Sequence, residues 1–339
     1  MVGDCLPSYK AVPRSVGQSG RWRRPAVEGP TATVVPMPYD PASPAPFGHM
    51  LTAMVTPFTE EGEVDYDGVA ALATRLVDEG GNDGLIVNGT TGESPTLRDS
   101  EKIASLKVVL DAVGDRATIV AGAGNNDTRH SVEIARAAQD AGAHGLLIVT
   151  PYYNKPPQPG IAAHFLAVAD ATDLPIMTYD IPGRTGVPIE PDTFARIAEH
   201  PRIVANKDAK GDPAASAGVI ARTGLAWYSG DDALTLPLLS VGAVGTVSVV
   251  GHLLGTRIAE MMAAHRAGDV VRATQLNASM IPAYVGIFRT QGVILTKAAL
   301  RELGLPSGPV RLPLVDATAE QLAVLRTDLA SAAVAGFAG

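Results

Sequence analysis

From residue 49 onward the chain alternates two hydrophobic patterns. Short apolar runs end in polar or glycine residues, and each is followed by apolar positions at helical spacing. The runs predict strands over 51–55, 85–88, 118–121, 145–149, 175–179, 203–206, 226–229 and 245–249. Between them the 3.6-residue period predicts helices, among them 67–79, 99–113, 130–141, 162–171, 192–199 and 214–223. Repeated β-α units of this kind place the chain in the α/β class and imply a closed parallel (β/α)8 TIM barrel over 48–256. An open doubly wound sheet is the rival, but its fingerprint is poor. Gly122-Ala123-Gly124 is followed by Asp127 where a third glycine belongs. Residues 257–339 are alanine-rich with few strand signals and read as a C-terminal helical extension.

Residues 1–47 lack any apolar period. The Arg21–Arg24 cluster and the run PMPYDPASPAPFG suggest a mobile extension without the apolar core of a secretory signal. Met37 and Met50 are alternative starts. Composition narrows the function classes. A formal charge of -8 over 339 residues argues against a nucleic-acid or acidic-membrane partner. The single cysteine, Cys5, excludes an internal disulfide framework and a thiolate metal site. No run reaches the roughly 18 apolar residues a membrane helix needs. A soluble, cytoplasmic protein is expected.

The chemistry centres on IVANKD, residues 203–208. Lys207 sits where this apolar run gives out, beside Asp208. A free lysine amine, with a pKa near 10.4, carries its lone pair in about one molecule in a thousand at neutral pH. Lowering that pKa by roughly 3 units costs about 4 kcal/mol of ammonium stability, which burial at a strand end can supply. The plainer alternative is a structural Lys207–Asp208 ion pair.

Barrel geometry favours the nucleophile, because polar residues ending each strand converge on one mouth. Those ends read Asn88-Gly89-Thr90-Thr91-Gly92-Glu93, Thr150-Pro151-Tyr152-Tyr153-Asn154-Lys155-Pro156, Tyr179-Asp180-Ile181-Pro182-Gly183-Arg184 and Ser229-Gly230-Asp231-Asp232. Singly, each has a dull meaning as a turn, a cap or surface packing. Together they assemble hydroxyls, phenols, close-approach glycines and a guanidinium fork suited to a carboxylate.

The GTTGE, TPYYNKP, YDIPGRTG and IVANKDAKG strings, with ALRELGL and RLPL further on, resemble the pyruvate-dependent class I aldolase superfamily. Within it they are most similar to the dihydrodipicolinate synthase family, over about residues 49–335. The resemblance implies a lyase that condenses pyruvate with L-aspartate 4-semialdehyde on the diaminopimelate route to lysine, without a cofactor. It implies a Schiff base at Lys207, with Thr90 and Thr91 on the pyruvate carboxylate. Tyr179 would be the acid-base phenol, linked through Thr90 to Tyr153 of a neighbouring subunit in a dimer of dimers. Arg184 would hold the aldehyde substrate's carboxylate, and Val247, through its backbone carbonyl, and Gly230 would complete the substrate-binding set.

The iminium acts as an electron sink for deprotonating the pyruvate methyl group, and needs no metal. None of the seven histidines has zinc-ligand spacing with a second ligand. Asp180 and Asn206 depart from the family pattern, and Asp180, beside the proposed acid, is expected to alter the pH profile. Where lysine-regulated relatives carry two histidines and a glutamate, this chain has Asp99, Lys102 and His130, although Asn126 and Tyr152 persist; weak lysine feedback is expected. The rival activities are an N-acetylneuraminate lyase or 2-keto-3-deoxy sugar acid aldolase, or a dead barrel that senses a keto acid.

Overall fold

A computed structural model describes residues 45–337; the extension predicted over 1–47 lies outside them up to residue 44. Eight parallel strands close into a barrel in chain order. They are β1 (Met50–Ala53), β2 (Gly84–Val87), β3 (Thr118–Gly122), β4 (Gly145–Val149), β5 (Ile176–Asp180), β6 (Ile203–Asp208), β7 (Ala226–Ser229) and β8 (Gly245–Ser248). Pairing of β1 with β8 through Leu51 and Val247 closes the ring, which excludes the open doubly wound sheet.

Each strand lies between a packed interior and a shell of helices, which is why the runs are apolar on both faces. The interior is filled by Leu51, Ile86, Val120, Leu147, Met177 and Tyr228, among others. Around the barrel lie α1 (Tyr66–Asp78), α2 (Asp99–Val113), α3 (Thr128–Asp140), α4 (Gln158–Asp170), α5 (Pro182–Thr185), α6 (Pro191–Ile197), α7 (Pro213–Thr223) and α8 (Thr235–Leu239). The chain continues through α9 (Gly251–Arg266), α10 (Val270–Ile287), α11 (Gly292–Glu302) and α12 (Ala319–Ser331). These last helices bury a second apolar cluster that includes Met50 of β1 and Val250 beside β8.

Several boundaries differ from the sequence pattern, each for a local reason. Helix α4 begins four residues earlier than expected, because Pro159 sits in its first turn, where a missing N–H costs nothing. Helix α1 starts after Asp65, whose carboxylate accepts the Gly68 N–H at 2.9 Å. Phe47, assigned by sequence to the extension, is fully buried, and its N–H donates to the Tyr228 hydroxyl at 3.3 Å. Strand β6 runs two residues further than predicted, through Lys207 and Asp208, which pair in register with Tyr179 and Asp180.

Candidate active site

Strand alternation decides what Lys207 faces. Successive side chains point to opposite sides of a sheet, so Lys207 and Asp208 cannot share one environment. Lys207 turns into the barrel, 5% exposed, with its ammonium nitrogen 4.3 Å from the centre of the Tyr179 ring. Asp208 turns out beneath the helices, where its carboxylate accepts the Trp227 indole N–H at 2.8 Å, the Lys210 backbone N–H at 2.8 Å and the Ser216 hydroxyl. The structural ion pair between the two neighbours does not form.

Burial is the main reason that the Lys207 pKa falls to about 8; Asp232 opposes the shift and the positive charge of Arg184 adds to it. At that value about a tenth of the amines are neutral at pH 7, against about one in a thousand for a free side chain. Tyr179, also 5% exposed, moves the other way. Burial pushes its phenol up to about 12, with Arg184 lowering it and Asp231 raising it. At neutral pH the site therefore offers a partly deprotonated amine beside a fully protonated phenol.

Gly230 is part of this arrangement through what it lacks. A Cβ there would lie 2.9 Å from Lys207 Cε and 3.0 Å from its Cγ, so any other residue would obstruct the lysine's path into the barrel. Its N–H donates to the Asp208 carbonyl at 2.7 Å, tying the end of β7 to the end of β6. Val247, buried in β8, belongs to the same interior cluster as Tyr179.

A cavity of about 410 Å³ opens beside Tyr179, lined also by Thr90 and Arg184 and reaching Lys102, His130 and Tyr152; Lys207, Thr91, Gly230 and Val247 are not among the residues that line it. Thr91 is partly buried in the same turn as Thr90. Arg184 is exposed on the short helix α5. Tyr153 is the predicted member that the chain does not bring to its own mouth. It is 89% exposed, with a left-handed φ of 73° that a bulky residue adopts only under constraint.

The two departures from the family pattern, Asp180 and Asn206, both face away from the barrel interior. Asp180 does not act on Tyr179, because alternation turns its carboxylate outwards. There Oδ1 accepts the Ile189 N–H at 3.1 Å and Oδ2 lies 3.7 Å from the Lys210 ammonium. Burial raises Asp180 itself to about 6, against the pull of the Ile189 N–H and Lys210. Asn206 likewise faces out, accepting the Thr178 hydroxyl at 2.8 Å.

Sequence reasoning passed over Asp231 and Asp232, although both stand in a quoted strand-end string. Asp232 is buried and binds the N–H groups of Val249 and Val250 at 3.1 Å each and the Ser248 hydroxyl, which fixes the loop after β8. Asp99, Lys102 and His130 form a local cluster, with Asp99 3.3 Å from Lys102 and 2.8 Å from His130.

Comparison with known proteins identifies the family. Residues 46–332 match the model of the dihydrodipicolinate synthetase family. The 4-hydroxy-tetrahydrodipicolinate synthase of Acidothermus cellulolyticus is 65% identical over 295 residues, covering 87% of this chain and 96% of the relative. A second relative of that name, from Streptomyces coelicolor, is 61% identical over 289 residues, covering 85% of this chain and 96% of its own. The crystal structure of the Cyanidioschyzon merolae enzyme with lysine bound superposes with a TM-score of 0.84 at 44% identity, over 86% of this chain and 99% of that one. The chain belongs to the dihydrodipicolinate synthetase family.

Proposed function

We propose that the chain acts as a 4-hydroxy-tetrahydrodipicolinate synthase, a lyase that condenses pyruvate with L-aspartate 4-semialdehyde through a Schiff base on Lys207. The observation that carries this reading is the buried Lys207, without an ion pair among the described residues, against the Tyr179 ring, in a chain 65% identical to a synthase of that name. The neutral amine attacks the keto carbon, and loss of the carbinolamine hydroxyl as water needs a proton. Tyr179 holds one at neutral pH. The iminium then accepts the electron pair left when the methyl group loses a proton, and the enamine's carbon attacks the aldehyde.

Thr90 and Thr91 take the pyruvate carboxylate in this reading, with Thr90 relaying protons between Tyr179 and Tyr153. Arg184 receives the carboxylate of the second substrate at the rim; Val247, by its carbonyl, and Gly230 shape the floor. The exposure and constrained backbone of Tyr153 support its entry into a neighbouring subunit's site, hence at least a dimer and, by family, a dimer of dimers. A fully active monomer in a sizing experiment would overturn that shared site. Among the described residues no helix is long and apolar enough to cross a membrane, and the reading places the enzyme in the cytoplasm.

The rival lyase activities lack a use for Arg184 alongside both threonines. Purified protein given pyruvate with aspartate semialdehyde, and in parallel pyruvate with sugar aldehydes, is expected to turn over only the first mixture. Turnover confined to the second would assign the chain to those lyases. Lysine is expected to inhibit weakly or not at all, because Lys102, 3.3 Å from Asp99, adds a cation to the positions that match the lysine-binding residues of regulated relatives. Strong inhibition by millimolar lysine contradicts this.

A further inference from the structure

The turn that carries Thr90 and Thr91 is bounded by two residues in the left-handed backbone region, Asn88 at φ 60° and Glu93 at φ 56°. Neither is glycine, and each such conformation costs on the order of 1–2 kcal/mol that the surroundings must offset. Asn88 is held by its amide, which donates to the Lys102 carbonyl at 2.9 Å. Glu93 is held from much further along the chain.

Its carboxylate, 2% exposed, lies 2.7 Å from the ammonium of Lys297 on α11, which is 0% exposed. The other oxygen accepts the Arg311 backbone N–H at 2.8 Å. Lys297 also donates to the Pro309 carbonyl at 2.8 Å and sits 4.0 Å from the centre of the Phe58 ring. The Arg311 guanidinium covers Phe58 too, at 4.4 Å, and forks onto Glu101 at 2.6 and 3.0 Å. It also donates to the Thr96 carbonyl at 2.9 Å, just past the turn.

Stability alone does not account for such an arrangement, since buried ion pairs are commonly matched or bettered by apolar side chains of similar volume. What the pair supplies is direction. The Glu93 N–H donates to the Thr90 carbonyl at 3.1 Å and the Gly92 N–H to the Gly89 carbonyl at 3.0 Å. Fixing Glu93 therefore fixes the backbone from which both threonine hydroxyls project.

We propose that Glu93, Lys297 and Arg311 are positioning residues: a strut from the C-terminal helices that holds the Thr90–Thr91 turn in the geometry that receives the pyruvate carboxylate. This rests on the assignment of the two threonines made above. Lys297 on α11 and Arg311, in the segment between α11 and α12, then serve the active site from outside its cavity.

The test replaces the pair by neutral side chains of similar size, Glu93→Gln with Lys297→Met, and measures borohydride labelling of Lys207 against pyruvate concentration. The concentration giving half-maximal labelling is expected to rise about 10-fold or more, as displaced supporting contacts do elsewhere, with the maximal label and its pH profile unchanged. A merely structural pair would lower the thermal midpoint and leave that concentration alone. Arg311→Lys, which keeps the ion pair and loses the fork onto Glu101, provides a milder variant, expected to shift it about 3-fold. Half-maximal labelling within about twofold of the unmodified chain in both variants, against these expectations, overturns the strut. An unmodified chain that takes no label at any pyruvate concentration would overturn the Lys207 assignment instead.

Discussion

The two faces of β6 solve the same problem in opposite ways. Lys207 and Asp208 are neighbours in sequence, both buried and both ionisable. On the outer face the Asp208 carboxylate accepts three hydrogen bonds, from Trp227, Lys210 and Ser216. On the inner face Lys207 makes no ion pair among the described residues, and its ammonium lies over the ring of Tyr179. One buried charge anchors the strand, and the other is left unstable enough to react. Strand β5 repeats the division, with Tyr179 inside and Asp180 outside on the Ile189 N–H. A barrel strand thus separates chemistry from anchoring by single-residue alternation, without any distance along the chain.

The largest test of this contrast breaks the anchor. Asp208→Ala strands three buried donors and is expected to cost about 3–5 kcal/mol in denaturant unfolding. A loss below 1 kcal/mol would mean that these hydrogen bonds do not anchor the strand. Lys207→Met should act with the opposite sign. The native chain binds the lysine proton less tightly than the unfolded chain, so stability rises with pH between about 8 and 10.5. Removing that group gains about 3 kcal/mol at pH 7, a gain that fades above pH 10. Unfolding curves at two pH values check both the sign and the window.

Asp180→Asn sharpens the comparison on β5. A carboxyl raised to about 6 lends its full contribution below pH 4 and loses it as pH climbs through 6. The amide should therefore leave stability unchanged at pH 4 and gain about 3 kcal/mol at pH 8, the net of burial against the pull of the Ile189 N–H and Lys210. The pH profile of labelling should not move, since Asp180 faces away from Tyr179; a profile that shifts returns Asp180 to the inner face. The smallest effect is electrostatic. Arg184→Gln removes a charge that lowers the Lys207 pKa, so the midpoint of its labelling against pH should rise by a fraction of a unit.

The barrel was legible because fully buried parallel strands are short apolar runs, and all eight predicted strands lie within two residues of the observed ones. That Tyr179, Thr90 and Arg184 would line one cavity was legible because strand ends in a barrel share one mouth. Adjacency misled where faces matter: Asp180 follows Tyr179 in the chain and stands on the far side of its strand. The strut was out of reach for a different reason. Glu93 and Arg311 are 218 residues apart, and no local period announces that α11 will deliver a lysine beneath the turn after β2. Tyr153 carries a signal only in the fold, as a constrained and exposed aromatic.

The most direct measurement is mass spectrometry of the protein after pyruvate and borohydride, with Lys207→Ala as control. The chemistry described here requires one reduced pyruvate adduct, on Lys207, forming faster as pH rises through about 8 and absent from the control. A folded chain left unlabelled at Lys207, or labelled elsewhere to the same extent in the control, contradicts it.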